Sequence, residues 1–128
     1  MILRSADAPN AQLCLSAAAA NAAAGRPVLY LDSTGGFSAA RVAELQQHGP
    51  APPATAEAAR QALGGVRAAR AFDVHAALAL LDVLLRGAPS QDALGDGEEA
   101  QQRPALLICD SASALLSPLL TTAHPQGE

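Results

Sequence analysis

The sequence contains no lysine and no tryptophan, and its aromatic residues are one tyrosine and two phenylalanines. All eight basic residues are therefore arginines, scattered along a chain of net charge −4. Without a basic stripe, the chain offers no standalone nucleic-acid surface. Half of the residues are apolar, but alanine supplies much of that half, so burial contributes little free energy per residue. We therefore expect the isolated chain to fold poorly.

Cysteine is also scarce. Cys14 and Cys109 are the only two, and their spacing fits no CxxC or other metal-binding pattern. We expect two reduced thiols in the core of an intracellular protein. No apolar stretch is long enough to cross a membrane, and the first ten residues lack the apolar centre of a signal peptide. At 128 residues, the chain corresponds to one domain or part of one.

Two segments about eighty residues apart carry the same pattern. Residues 28–37 read VLYLDSTGGF, and residues 105–112 read ALLICDSA. Each is a short apolar run, typical of a strand buried on both faces of a parallel sheet, and each ends on an aspartate. An acid at the carboxyl end of such a strand lies where α/β sheets bind ligands. The second pattern is typical of a strand that presents an acid to magnesium.

Strands alternate with helices along the chain, which predicts an α/β fold with a parallel sheet and right-handed crossovers. The predicted strands are 28–31, 66–71 and 105–109. The predicted helices are 11–24, 39–47, 55–63 and 74–85, with N-caps at Asn10, Ser38 and Asp73 and with Gly25, Gly64 and Gly87 at their ends. Residues 88–103 have the composition of a flexible, disordered insertion. Ser117-Pro118 is expected to end the fold, which gives a domain over 1–118 and a disordered tail over 119–128.

The order of these motifs resembles a known family. Residues 30–38, YLDSTGGFS, resemble the segment after the second core strand of RecA-type recombinases. Residues 70–73 and the leucine-rich helix after them resemble the next strand–helix unit, and residues 106–111, LLICDS, resemble the Walker B strand. The sequence resembles the paralogue D branch of the eukaryotic recombinases in a combination of four motifs: VLYLDS, AFD, LDVL and the run from DS to SPLL. The resemblance covers roughly residues 12–120.

The resemblance implies a partial RecA-like P-loop NTPase core. It further implies a nuclear DNA-repair protein of homologous recombination, which works on DNA with ATP and Mg²⁺ in a heteromeric complex of recombinase paralogues. The residues it assigns to the nucleotide are Asp32, Ser33, Thr34, Asp110 and Ser111, with Asp110 as the metal ligand. From the residues alone, Asp110 could instead cap the following turn. Asp32 and Ser33 could equally stabilise the Gly35-Gly36 turn.

The chain departs from the family at two functional positions. The phosphate loop, GxxxxGK[ST], is expected just before Gln12, but Asn10 and Ala11 stand at its lysine and hydroxyl positions. Thr34 stands where catalytic members carry a glutamate, and threonine cannot act as a general base at neutral pH. We therefore assign no catalytic residue and expect no tight ATP binding by this chain alone. The family's other segments would precede residue 1 and follow residue 128, so we expect a truncated gene model or a splice product.

A partner site is also implied by the resemblance. In related recombinases, the corresponding strand and helix line an apolar pocket that takes an aromatic side chain from a neighbouring subunit. The matching residues here are Ala69, Ala71, Val74, Leu78 and Leu81. Ordinary packing of the helix on the sheet is the alternative. Two further functions stay open: a non-enzymatic module that docks on a recombinase paralogue, and a core fragment of another RecA-like ATPase.

Overall fold

The computed structural model describes residues 2–5, 8–86 and 103–122, in which strands and helices alternate. The strands are β1 (Ile2–Ser5), β2 (Val28–Asp32), β3 (Val66–Arg70) and β4 (Leu106–Asp110). The helices are α1 (Ala8–Ala23), α2 (Ala39–Gln47), α3 (Ala56–Gly64), α4 (Val74–Arg86) and α5 (Ala112–Thr122). The strands predicted from the sequence correspond to β2, β3 and β4.

The strands form one parallel sheet in the order β1-β4-β2-β3. All five residues of β2 are buried, as its uninterrupted apolar sequence predicts for a central strand. The predicted α/β class with a parallel sheet is confirmed, and the arrangement is that of a RecA-like core fragment. Because the strands are parallel, their carboxyl ends lie along one end of the sheet.

The two faces of the sheet carry cores of different size. The larger core lies between the sheet and α1 and contains Cys14, Leu15, Ala18, Ala19, Ala22, Val28, Tyr30, Val42, Leu106 and Ile108. The smaller core, on the opposite face, contains Leu31, Ala71, Ala77 and Leu115. Apolar side chains of α4 and α5 therefore stay exposed: Leu78, Val83, Leu116, Leu119 and Leu120. Among the described residues, no helix is long and apolar enough to cross a membrane.

The start of α1 differs from the prediction, whereas its end agrees. The helix begins at Ala8, so Asn10 lies inside it and is not its N-cap. Pro9 fits the first turn, where its missing N–H needs no intrahelical partner. At the other end, Gly25 has φ +76° and donates its N–H to the Ala22 carbonyl, while Arg26 donates to the Asn21 carbonyl. This pair of bonds is a Schellman motif, which confirms the predicted stop.

Side-chain caps begin three further helices, and two of these caps are as predicted. Ser38 Oγ accepts from the Arg41 N–H at 3.2 Å and begins α2. Asp73 Oδ1 accepts from the Ala76 N–H at 2.8 Å and begins α4. Thr55 caps α3 in the same way, although the sequence places it inside that helix. Since these caps lie one residue before their helices, they set the ends of the loops that precede them.

The end of the described chain is helical where the sequence predicts a break. α5 passes through Pro118 and continues to Thr122, so the expectation of a tail from Leu119 is wrong for residues 119–122. Proline removes one intrahelical donor, and the residue before it bonds the main chain through its side chain: Ser117 Oγ donates to the Ser113 carbonyl at 2.6 Å. The predicted stop at Gly87, the predicted insertion at 88–103 apart from Arg103, and the rest of the predicted tail lie outside the described residues.

β1 is not predicted from the sequence. It pairs with β4 in parallel, from Ile2 opposite Leu107 to Ser5 opposite Asp110. A segment of four residues is too short to show a periodic pattern, so only its partner strand reveals it. β1 and β3 are consequently the two edge strands of the sheet in the described part of the chain.

Candidate functional site

Two buried aspartates lie side by side where the central strands end. Asp32 closes β2 and Asp110 closes β4, and the two residues are partners in the strand register. Their exposed fractions are only 1% and 4%. Because alternate strand residues share a face, Asp32 lies on the same side as Tyr30, over the α1 core. The structure therefore brings together the predicted site residues of both segments.

The carboxylate of Asp32 is fully engaged by the loop that follows it. Oδ1 accepts the backbone N–H groups of Thr34, Gly35 and Gly36 at 3.2, 2.9 and 3.2 Å. Oδ2 accepts the N–H of Phe37 at 3.2 Å. Gly35 has φ +82°, a backbone conformation that favours glycine. Of the two interpretations left open by the sequence, the geometry agrees with Asp32 as the residue that stabilises the turn.

Asp110 is held by a residue that the sequence did not single out. The hydroxyl of Tyr30 donates to Asp110 Oδ2 at 2.8 Å, and Tyr30 has no solvent exposure. Its ring also lies 4.9 Å from that of Phe37, centroid to centroid. The signal that could have revealed this contact is a tyrosine within an aliphatic strand, since a buried phenol needs a hydrogen-bond partner.

The serines after the two aspartates join the two loops. The N–H of Ser33 donates to the Asp110 carbonyl at 2.8 Å, and Ser33 Oγ donates to the Ser111 carbonyl at 2.8 Å. The N–H of Ser111 donates back to Ser33 Oγ at 2.6 Å. The Asp110–Ser111 peptide bond is cis, and Ser111 Oγ contacts Ser113 Oγ at 2.7 Å. Ser33 and Ser111 are therefore internal connectors between the ends of β2 and β4.

Thr34 lies apart from this network. Its side chain is exposed at the surface of the loop, while its N–H is fixed by Asp32. The position that carries a glutamate in catalytic recombinases thus holds a hydroxyl, which cannot take up a proton at neutral pH. Of the five predicted nucleotide-site residues, Thr34 is the one whose side chain faces solvent.

The residues present do not fit a nucleotide-bound magnesium ion. The eight residues that stand at the phosphate-loop positions, 4–11, contain neither glycine nor lysine. Asn10 and Ala11, at the lysine and hydroxyl positions, lie within α1. The sequence offers no lysine elsewhere. The described residues also hold no group of three or more acidic, histidine or cysteine side chains that could bind a metal.

The predicted partner-pocket residues are divided between the interior and the surface. Ala71 is buried in the smaller core, and Ala69 packs partly against it. On α4, Val74 and Leu81 are half-buried, whereas Leu78 is 58% exposed. Ala71 directly follows the edge strand β3, and Leu78 lies on α4, the next helix along the chain. Their role in binding remains a prediction.

The fold, with an acid at the end of each of two central strands, is consistent with a RecA-like core segment. No protein-family model matches the chain. Two curated relatives are both named DNA repair protein RAD51 homolog 4. The Bos taurus protein is 36% identical over 120 residues, and the Mus musculus protein is 32% identical over 117 residues. Each match covers 91% of this chain and 33% of the relative.

The chain therefore spans about a third of the length of the curated relatives it matches. Over this segment the chain is similar to these two DNA repair proteins, in agreement with the resemblance that the order of the sequence motifs indicates.

Alkaline pH is expected to destabilise the fold. Burial, the hydrogen bond to Asp110 and the charge of that residue raise the pKa of Tyr30 above its ordinary value of 10.0. Burial, and then the charges of Asp110 and Cys109, raise the pKa of Cys14 above 9.0. Because both pKa values are higher in the folded state than in the unfolded state, the protonated groups stabilise the fold. This stabilisation is complete below pH 9 and is lost progressively as the pH rises above 9 for Cys14 and above 10 for Tyr30.

Urea denaturation at a series of pH values would measure this loss. The absence of lysine removes the side chain that would otherwise titrate in the same range. A Tyr30→Phe/Cys14→Ala variant should show a weaker decline. An equal decline in that variant would contradict the assignment to these two groups.

Proposed function

We propose that this chain is a core segment of a recombinase paralogue of the RAD51 homolog 4 type. The protein would act in the nucleus, in homologous-recombination repair, within a complex of recombinase paralogues. Sequence similarity over 91% of the chain supports this proposal, together with the matching order of the strand-end motifs. In this proposal, ATP, Mg²⁺ and DNA are ligands of a longer parent protein.

For the chain itself, we propose a non-enzymatic role in docking on a recombinase paralogue. The observations that carry this proposal are the edge strand β3 and the exposed apolar side chain of Leu78 on α4. Within the described residues, β3 pairs with β2 and is an edge strand of the sheet. An edge of this kind can accept an added strand from a partner.

The chemistry next to this edge suits an apolar anchor. Ala69 and Ala71 have small side chains, and the exposed Leu78 adds an apolar flank on α4. A partner segment with an aromatic side chain would cover this flank while its backbone pairs with β3. Aromatic anchors that enter apolar pockets contribute a large share of the binding energy of many interfaces.

A charge introduced at Leu78 is expected to weaken docking. Leu78→Glu should reduce the affinity for a purified full-length RAD51-family paralogue by about tenfold or more, measured by surface plasmon resonance, since a fully desolvated anchor contact is worth about 1.4 kcal/mol or more. Val83→Glu is the matched control. It makes the same change on the same helix, at a side chain that is 56% exposed, against 58% for Leu78. Because Val83 lies five residues after Leu78, its side chain points away from that of Leu78 around the helix axis.

The control should change the affinity by less than about twofold. Equal losses in the two variants would indicate nonspecific adhesion through the apolar helix surface. A wild-type chain that binds none of the paralogues would exclude the docking function altogether.

A further inference from the structure

Asp110 lies at the end of β4 and accepts a hydrogen bond from the Tyr30 hydroxyl. We infer that Tyr30 is the resident partner of Asp110, and that its hydroxyl holds this carboxylate in place of a divalent cation. Asp110 is then a structural hydrogen-bond acceptor in this chain, and Tyr30 is the residue that positions it. The inference does not depend on docking to a paralogue.

The two strand-end carboxylates both need favourable partners. Asp32 and Asp110 lie opposite one another on neighbouring strands, and both are almost fully buried. Two adjacent buried negative charges repel each other, so each needs favourable partners. In nucleotide-binding relatives a bound cation can supply such a partner. Here the partners are four backbone N–H groups at Asp32 and the Tyr30 hydroxyl at Asp110.

The surroundings of the bond between Tyr30 and Asp110 are rigid. Tyr30 belongs to a central strand, and its side chain has no solvent exposure, so its hydroxyl cannot swing to an alternative partner in water. The backbone of Asp110 is held by the N–H of Ser33, which donates to its carbonyl. The bond between Tyr30 and Asp110 is therefore built into the sheet.

A magnesium ion would gain few ligands at Asp110. Mg²⁺ holds its waters tightly and is usually bound in proteins by one or two carboxylates together with substrate phosphates. This chain lacks the phosphate loop, and Asp32 directs its carboxylate to its own loop. An Mg²⁺ ion at Asp110 would have to compete with a buried hydroxyl while gaining a single carboxylate. We therefore expect the bond to Tyr30 to persist in millimolar Mg²⁺.

The sequence supplies its own probe for this bond. Tyr30 is the only tyrosine and there is no tryptophan, so tyrosine fluorescence reports on this residue alone. A phenol hydrogen-bonded to a carboxylate emits weakly. The emission of the wild-type chain should therefore be lower than that of the urea-unfolded chain, and it should stay constant as MgCl₂ is added. Asp110→Asn removes the charge with little change of shape and should raise the emission.

Each outcome decides the inference. Quenched emission that does not respond to Mg²⁺ supports it, and this measurement needs only the wild-type chain. A saturable rise with Mg²⁺ that is lost in Asp110→Asn would show that a cation displaces the hydroxyl, and it would overturn the inference. A native emission equal to that of the urea-unfolded chain would also overturn it, because the hydroxyl would then not be held by the carboxylate.

Discussion

Replacing Asp32 with alanine is expected to lower the free energy of unfolding by about 3 kcal/mol, because hydrogen bonds to a charged acceptor contribute about 1.5–3 kcal/mol each and are not fully additive. The substitution removes the acceptor of four backbone N–H groups, those of residues 34–37. It also frees the Gly35 turn, and with it Phe37, which packs against the larger core. Urea denaturation followed by circular dichroism would measure the loss.

Asp73→Ala is the control for this prediction. Asp73 accepts a hydrogen bond from the Ala76 N–H at the exposed start of α4, so its removal should cost about 1 kcal/mol, the usual value for an N-cap. Asp32→Asn should fall between the two, since its amide oxygen still accepts from the loop. If Asp32→Ala costs no more than Asp73→Ala, then Asp32 does not organise its loop.

Removal of one hydroxyl at Tyr30 is expected to have the second large effect. Tyr30→Phe keeps the ring and its contact with Phe37 but leaves Asp110 Oδ2 without its donor. A buried charged acceptor that loses its partner costs about 2 kcal/mol. The same urea denaturation would measure the difference, with the ring contact unchanged.

A double-mutant cycle with Asp110→Asn separates the hydrogen bond from packing. In the Asn background, Tyr30→Phe should cost clearly less, because the charged acceptor is already gone. If its cost is the same in both backgrounds, the hydroxyl and the carboxylate are not coupled. The role of Tyr30 would then be limited to the packing of its ring.

The main elements of the fold could be predicted from local signals. The apolar runs that end on Asp32 and Asp110 predict the two central strands, and the caps Ser38 and Asp73 predict helix starts. Each of these signals lies within a few residues of the feature it specifies. The start of α1 was predicted wrongly because Asn10 was taken as its N-cap. The passage of α5 through Pro118 was predicted wrongly because this proline was taken as the end of the fold.

The candidate site could be located from the sequence, but its contacts could not. Parallel strands place Asp32 and Asp110 at one end of the sheet, so their proximity follows from the fold class. The bond from Tyr30 to Asp110 spans eighty positions along the chain. Likewise, the pairing of Ser33 with Ser111 depends on which strands are neighbours. Contacts of this kind are set by strand order and register, which no local pattern encodes.

The site thus keeps the framework of a nucleotide-binding edge while its polar groups bond one another. Asp32 binds its own loop, Asp110 binds Tyr30, and the two serines join the strand ends. Such internal pairing satisfies buried polar groups that would otherwise destabilise the sheet. In this account, the two acids stabilise the fold. The proposed docking surface is a different part of the chain, the edge strand β3 and helix α4.

The most direct test of this account is isothermal titration calorimetry of the purified chain with ATP in the presence of Mg²⁺. The account predicts no saturable heat up to millimolar ATP, because the phosphate loop and its lysine are missing and the two acids are engaged internally. Saturable binding that disappears in Asp110→Asn would contradict it. That result would show that the end of the sheet is a working nucleotide site.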